Sequence, residues 1–255
     1  MEQLIEFLVR HDPDYEGALD QDSYTTGDIE KIRDVIGQEI PAVWMRFIEA
    51  GLRRSPMLKS FECGYSPSQW LIFNGHHELA PRRYFPVLHY TPPVEPIPSP
   101  YSHSSEYFFL DLERPYGEDD FEVVMFHPNG DSKCIKPDRA FISFREMLYS
   151  EAAQYIRERL PHRAGFLGDS SGEGRLAPSV GSIVSVFEQC GLSRLMETRS
   201  KLVYEGYEGV ASIVPEHQSP NLVNVRIGFK KHRSFVHCCE ALHAIHLELL
   251  SSTER

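Results

Sequence analysis

Apolar residues near the start of the chain recur at helical spacing. Those at 4 to 9 predict a short helix, and Ile29, Ile32 and Ile36 form one stripe over 28 to 36, with Gly37 as the C-terminal stop. Pro41 suits the first turn of a third helix, in which Trp44, Phe47 and Ile48 share a face and Gly51 follows as the end. From residue 57 the period shortens. β-type runs occur at Gln69 to Phe73, Tyr84 to Leu88, Tyr107 to Leu112 and Glu122 to Phe126, separated by turn residues, and they predict an antiparallel meander. Pro128-Asn129-Gly130-Asp131 then predicts a tight turn into Lys133-Cys134-Ile135.

Ser143 and Glu146 form an S-x-x-E capping box, ahead of a helix with Phe144, Met147, Leu148, Tyr155 and Ile156 near one side. Beyond it, glycines at 165, 168, 172 and 174 mark a flexible stretch. Ser179 then caps a helix carrying Val180, Ile183, Val184 and Phe187, which stops at Gly191. Strand-like runs follow at Lys201 to Tyr204, Val210 to Val214 and Leu222 to Phe229. The last of these puts Val223, Val225, Ile227 and Phe229 on one face. A final helix is expected from Phe235 to about Leu250. The chain therefore reads as α+β: a domain over 1–164 with an antiparallel sheet and flanking helices, a linker over 165–178, and a smaller α+β domain over 179–255.

With 41% hydrophobic and 25% charged residues among 255, the composition is that of a globular protein with a substantial core. Glu2 and Glu6 occupy the place where a secretory signal needs positive charge, and no run of about 18 apolar residues occurs, so a cytoplasmic protein without membrane insertion is expected. Five cysteines, without CxxC spacing, fit a reducing compartment. The net charge of -11 resides entirely before residue 179, since residues 179 to 255 hold eight basic and eight acidic side chains. That sign disfavours nucleic acid and favours basic partners.

The order IEKIRDVIGQEIPAVWMRFIEAG, YFFLDLE, FEVVMFHPNGD and IKPDRAFISFREML resembles the SUKH superfamily of immunity and regulatory proteins over about residues 25 to 160. Ile29, Gly37, Ile40 and Pro41 match its opening helix pair, and Phe109 to Leu112 its central strand. His127 and Gly130 match the following turn, and Ile142, Ser143, Phe144 and Leu148 the closing helix. The chain departs from the pattern at Ala50-Gly51-Leu52 and in an excursion with prolines at 92, 93, 96, 98 and 100. The resemblance implies a SUKH-like sheet domain that binds another protein without catalysis, in bacteria commonly a toxin, which an immunity protein neutralises by stoichiometric binding; a regulatory scaffold unrelated to toxins is the alternative that the same surfaces would serve.

Within that reading, the acids Glu118, Asp119, Asp120 and Glu122 are expected to meet a basic toxin surface, with His127 and Asn129 at the neighbouring turn and Tyr101 in the proline-rich excursion as further contacts. An enzymatic alternative rests on Gly168-Asp169-Ser170-Ser171-Gly172, a G-x-S-x-G match with Ser170 as nucleophile. It lacks a clear preceding strand and an HGGG-type oxyanion segment, so a linker is expected there instead. Cys239, His243 and His246 fall near one face of the expected last helix, which also carries Phe235, Val236, Leu242 and Leu250; a core-facing stripe is expected, with no metal. No phosphate loop or dinucleotide fingerprint is present, and no cofactor is expected.

Overall fold

The computed structural model of the chain describes residues 1–18, 25–37, 39–52, 55–58, 61–63, 83–90, 106–126, 138–169, 179–198, 201–215 and 222–254. Two compact units divide it, Met1–Leu148 and Tyr149–Arg255. Each contains one antiparallel sheet with helices, so the architecture is α+β.

The first unit opens with α1 (Glu2–His11), α2 (Thr26–Ile36) and α3 (Ala42–Glu49). Thr25 and Asp28 form a reciprocal capping box on α2, and Gly37 ends the helix at φ 62°, in the left-handed region that glycine adopts without steric penalty. Leu4, Phe7 and Leu8 of α1 and Val43, Trp44, Phe47 and Ile48 of α3 are buried. The sheet runs β1 (Phe61–Cys63), β2 (Tyr84–Tyr90), β3 (Glu106–Tyr116), β4 (Asp120–Phe126) and β5 (Asp138–Phe141), in that spatial order. β2, β3 and β4 are expected runs in the expected antiparallel order, and β1 and β5 are strands that the sequence did not mark. Trp44 meets Phe85 edge-on with ring centres 5.2 Å apart, joining α3 to β2. The expected runs at Gln69 to Phe73 and Lys133 to Ile135 lie outside the described residues.

Helix α4 (Phe144–Arg159) begins in the first unit and continues into the second. The Ser143 hydroxyl accepts from the Glu146 N–H at 3.0 Å, as its capping box predicts. After it come β6 (His162–Asp169), α5 (Val180–Gln189), β7 (Ser193–Glu197), β8 (Leu202–Glu205), β9 (Gly209–Pro215), β10 (Leu222–Phe229), α6 (His232–Ala244) and β11 (Glu248–Glu254). The six strands order as β11-β6-β10-β9-β8-β7. One sheet face, with Phe166, Tyr204, Ile213, Val225, Ile227 and Phe229, is buried together with Ile183 and Phe187 of α5 and Phe235, Cys238 and Leu242 of α6.

Two expectations are corrected here. Residues 165 to 169 are not linker: β6 pairs with β10 on one side and β11 on the other, and Phe166 is fully buried, so the second unit starts well before residue 179. A glycine-rich composition signals freedom in an isolated chain, but two paired neighbours remove that freedom. Residues 170 to 178 lie outside the described residues.

The last helix ends at Ala244 rather than near Leu250. His246 takes φ 67° and the Leu247 N–H turns back to the Leu242 carbonyl at 3.2 Å, a Schellman-type stop that frees Glu248–Glu254 to pair with β6. His246 therefore does not share a helix face with Cys239 and His243. The His243 ring instead meets Phe166 at 5.6 Å, and Cys239 lies against the core.

Two predictions follow from this packing. A Cβ at Gly209 would lie 2.6 Å from the Gly228 carbonyl oxygen and 2.6 Å from the Phe229 ring, and the former is backbone that cannot turn aside. Gly209→Ala should lower unfolding stability by about 1–3 kcal/mol in urea titration. The Glu151 carboxyl of α4 is pushed up to about 7 by burial, with Glu158 adding to the shift and Lys201 opposing it. Its folded value lies above the ordinary 4.5, so the folded state holds more protons between the two, and stability falls as pH rises through that window. Glu151→Gln should reduce the loss of stability between pH 5 and pH 8 by about 3 kcal/mol at most, read from urea midpoints at each pH.

Candidate functional site

The β3–β4 hairpin holds the acids singled out in the sequence. Asp111 stands opposite Glu122, but the next pairing is Pro115 with Phe121, so Leu112, Glu113 and Arg114 have no counterpart and β3 bulges outward. Such a bulge is where a strand tolerates proline, which cannot donate to the ladder. Gly117 then turns the chain at φ 71°, leaving Glu118 and Asp119 exposed at the tip beside Tyr116, which is 37% exposed.

Two acids directly opposite each other on a sheet repel. Arginines resolve the conflict. Arg83 clamps Asp111 with two hydrogen bonds, Nε to Oδ1 at 3.0 Å and Nη2 to Oδ2 at 2.8 Å, while its other nitrogen meets Glu113 at 2.9 Å. The Asp111 carboxylate beside it raises the Arg83 pKa above its already high ordinary value. Arg114 donates to Glu122 at 2.9 Å, and its Nε lies 3.6 Å from Asp111. Asp111 and Glu122 are 1% and 7% exposed, whereas the Arg83, Glu113 and Arg114 side chains of the network reach the surface.

Asp120 has a different task. Its Oδ1 accepts from the N–H groups of Phe121 at 2.8 Å and Phe144 at 3.0 Å, and its Oδ2 accepts from Arg145 at 3.1 Å. These last two are first-turn donors of α4, which have no partner within the helix. The carboxylate thus sits at the positive end of the helix dipole and completes the cap that Ser143 begins. Burial pushes its pKa up, and the three N–H groups with the Ser143 hydroxyl pull against that shift.

Of the four acids expected to meet a partner, two are exposed and two are buried. Glu118 and Asp119 face solvent, with Asp119 held loosely by Arg46 at 3.2 Å and Arg145 at 3.9 Å. Asp120 and Glu122 are buried and engaged inside the protein, Asp120 by the start of α4 and Glu122 by Arg114, so neither is presented at the surface. His127, Asn129 and Tyr101 lie outside the described residues, as does Ser170. The residues that sequence reading missed are Tyr116, at the exposed tip, and the pair Arg83 and Arg114. Pro115, just beyond the Tyr107 to Leu112 run, was the available sign of the bulge that carries Arg114.

β6, which leads into the Gly168-Asp169-Ser170 segment, is antiparallel to both neighbours, whereas a hydrolase elbow follows a strand of an α/β-hydrolase sheet. Among the described residues no group of three His, Cys, Asp or Glu side chains is placed to hold a metal, and no helix is long and apolar enough to cross a membrane. Comparison of the chain with protein-family models, with curated proteins and with solved structures finds no match.

The different tasks of neighbouring acids separate by mutation. Asp120→Ala leaves buried N–H groups without an acceptor and should cost about 2–4 kcal/mol of unfolding stability. Glu118→Lys with Asp119→Lys alters only exposed charges and should change stability by less than about 1 kcal/mol. Urea denaturation with unchanged slope for both variants checks the pair.

Proposed function

We propose that the chain is a non-enzymatic protein-binding module of SUKH type, an immunity protein that neutralises a bacterial toxin in the cytoplasm by stoichiometric occlusion. The observation that carries this reading is the hairpin tip. It presents an aromatic ring, Tyr116, and two solvent-facing carboxylates, Glu118 and Asp119, on a turn whose base is tied down by the Asp120 cap and the Arg83–Asp111 and Arg114–Glu122 pairs. Rigid support lowers the ordering cost of association, and an aromatic flanked by charge is the composition of an interface anchor. The succession of α2, α3, β3, β4 and α4 along the chain also supports the resemblance, since each holds one of the matched segments.

In this reading the excess negative charge before residue 179 draws in a basic toxin surface, and the tip then docks. Exposed charges act mainly on encounter. Pull-down from the native host identifies the toxin, and association kinetics follow. Glu118→Lys with Asp119→Lys, sparing Asp120, should slow association on the order of tenfold at low ionic strength and much less at high salt, with dissociation little changed. Tyr116→Ala should act in the opposite way, raising dissociation. Equal salt slopes for wild type and the double reversal, together with unchanged dissociation for Tyr116→Ala, would remove the tip from the interface.

A further inference from the structure

In the second unit, a cavity of about 160 Å³ lies between α4 and the sheet face opposite the α5 and α6 core. Its roof is Ser150, Ala153, Gln154 and Arg157, spaced at i, i+3, i+4 and i+7 and hence one stripe of the helix. A helix stripe laid on a sheet is ordinarily apolar. Here three of its four positions are polar.

The floor is equally unusual. Asn224 and Arg226 of β10 alternate with the core residues Val223, Val225 and Ile227, so they point to the α4 side. Ser212 stands directly opposite Arg226, and Val214 opposite Asn224. Lys201 closes the end next to β8, in a turn where it exchanges hydrogen bonds with Thr198. Gly228 explains how the helix comes so near: a Cβ there would lie 3.0 Å from the Arg157 side chain and 3.1 Å from Leu160.

Three cations thus line one cavity, and among the described residues no carboxylate lines it. Arg157 and Arg226 make no ion pair among the described residues. Burial lowers the Arg157 pKa and the nearby positive charge of Arg226 lowers it further, with Glu158 offsetting part of this; Glu158 itself accepts from Gln154 at 3.0 Å. Glu151 lies within electrostatic reach of Lys201. The hydroxyl of Ser150, a residue only 4% exposed, is buried and has no hydrogen-bond partner among the described residues, and the same holds for the Asn224 side-chain oxygen. A buried hydroxyl without a partner carries a desolvation cost that calls for an explanation, and two facing guanidinium groups add repulsion to it. One occupant removes both costs: an oxyanion that accepts from the arginines and from Ser150.

We propose that this cavity binds the phosphate group of a small molecule, gripped by Arg157 and Arg226 from opposite walls, with Lys201 and Ser150 completing the contacts. Guanidinium forks match phosphate oxygens two at a time, and three cations suit a dianion better than a single carboxylate. The volume equals roughly five waters of bulk liquid, room for a phosphate and a small attached group. The free oxygen of Asn224 is then placed to accept from a hydroxyl of that group. The inference is independent of the hairpin reading, since it rests on the other unit.

Isothermal titration of the full chain with inorganic phosphate, ribose 5-phosphate and, as a control, acetate tests it. Phosphate or ribose 5-phosphate should bind at sub-millimolar concentration and acetate at least tenfold more weakly. Tighter binding of ribose 5-phosphate than of phosphate assigns the site to a phosphomonoester, and equal binding assigns it to the free anion. Arg226→Gln, at an exposed position, should weaken phosphate binding at least tenfold with its urea midpoint retained, and Ser150→Ala should weaken it severalfold. The proposal is overturned if neither phosphate compound binds below about 1 mM, or if Arg226→Gln binds as wild type does.

Discussion

One buried carboxylate, that of Asp120, connects the two halves of the first unit's design. It belongs to the first residue of β4 and accepts from the first-turn N–H groups of α4, so the hairpin and the helix start cannot be placed independently. A carboxylate taken from water is stable only when hydrogen bonds replace its hydration. The helix start has unpaired donors for the same reason in reverse. Each supplies what the other lacks, and the hairpin tip beyond Asp120 inherits a fixed base.

The same economy explains why the chain tolerates so many charged groups close to one bulge. Asp111 and Glu122 are forced opposite one another by the register of β3 with β4. Arg83, just before β2, and Arg114, within the bulge, supply the guanidinium groups that meet them. At the turn, Glu118 and Asp119 are exposed, Asp119 beside Arg46 and Arg145.

Along α4 the character of the side chains changes. Phe144, Met147 and Leu148 near its start are buried apolar residues, whereas Ser150, Gln154 and Arg157 form a polar stripe facing Asn224 and Arg226. A sheet strand obeys its period of two without regard to what lies above it. β10 therefore presents a core face and a polar face at once, and its polar face is where the proposed phosphate site lies.

Helix starts and stops marked by local chemistry were legible in the sequence: Gly37, Gly191 and the caps at Ser143 and Ser179 depend on contacts within a few residues, and all appear as read. So did β8, β9 and β10, apolar runs bounded by turn residues; in β10 burial of one face also leaves a period of two in the residues themselves, whereas β8 and β9 are buried on both faces. The end of α6 at His246 was not legible, since the same left-handed stop is made there by a residue that carries no mark of it. β6 and β11 were hidden for a related reason: glycine, serine and exposed leucine become strands only when a partner edge supplies their hydrogen bonds. Of the acids at the hairpin, the sequence by itself determined that they cluster in one short segment. Which are buried in ion pairs or caps and which face water was decided by the tertiary structure, because Asp120 is held by the N-terminus of α4, more than twenty residues away, and Glu122 by Arg114, which the bulged register of β3 with β4 brings beside it.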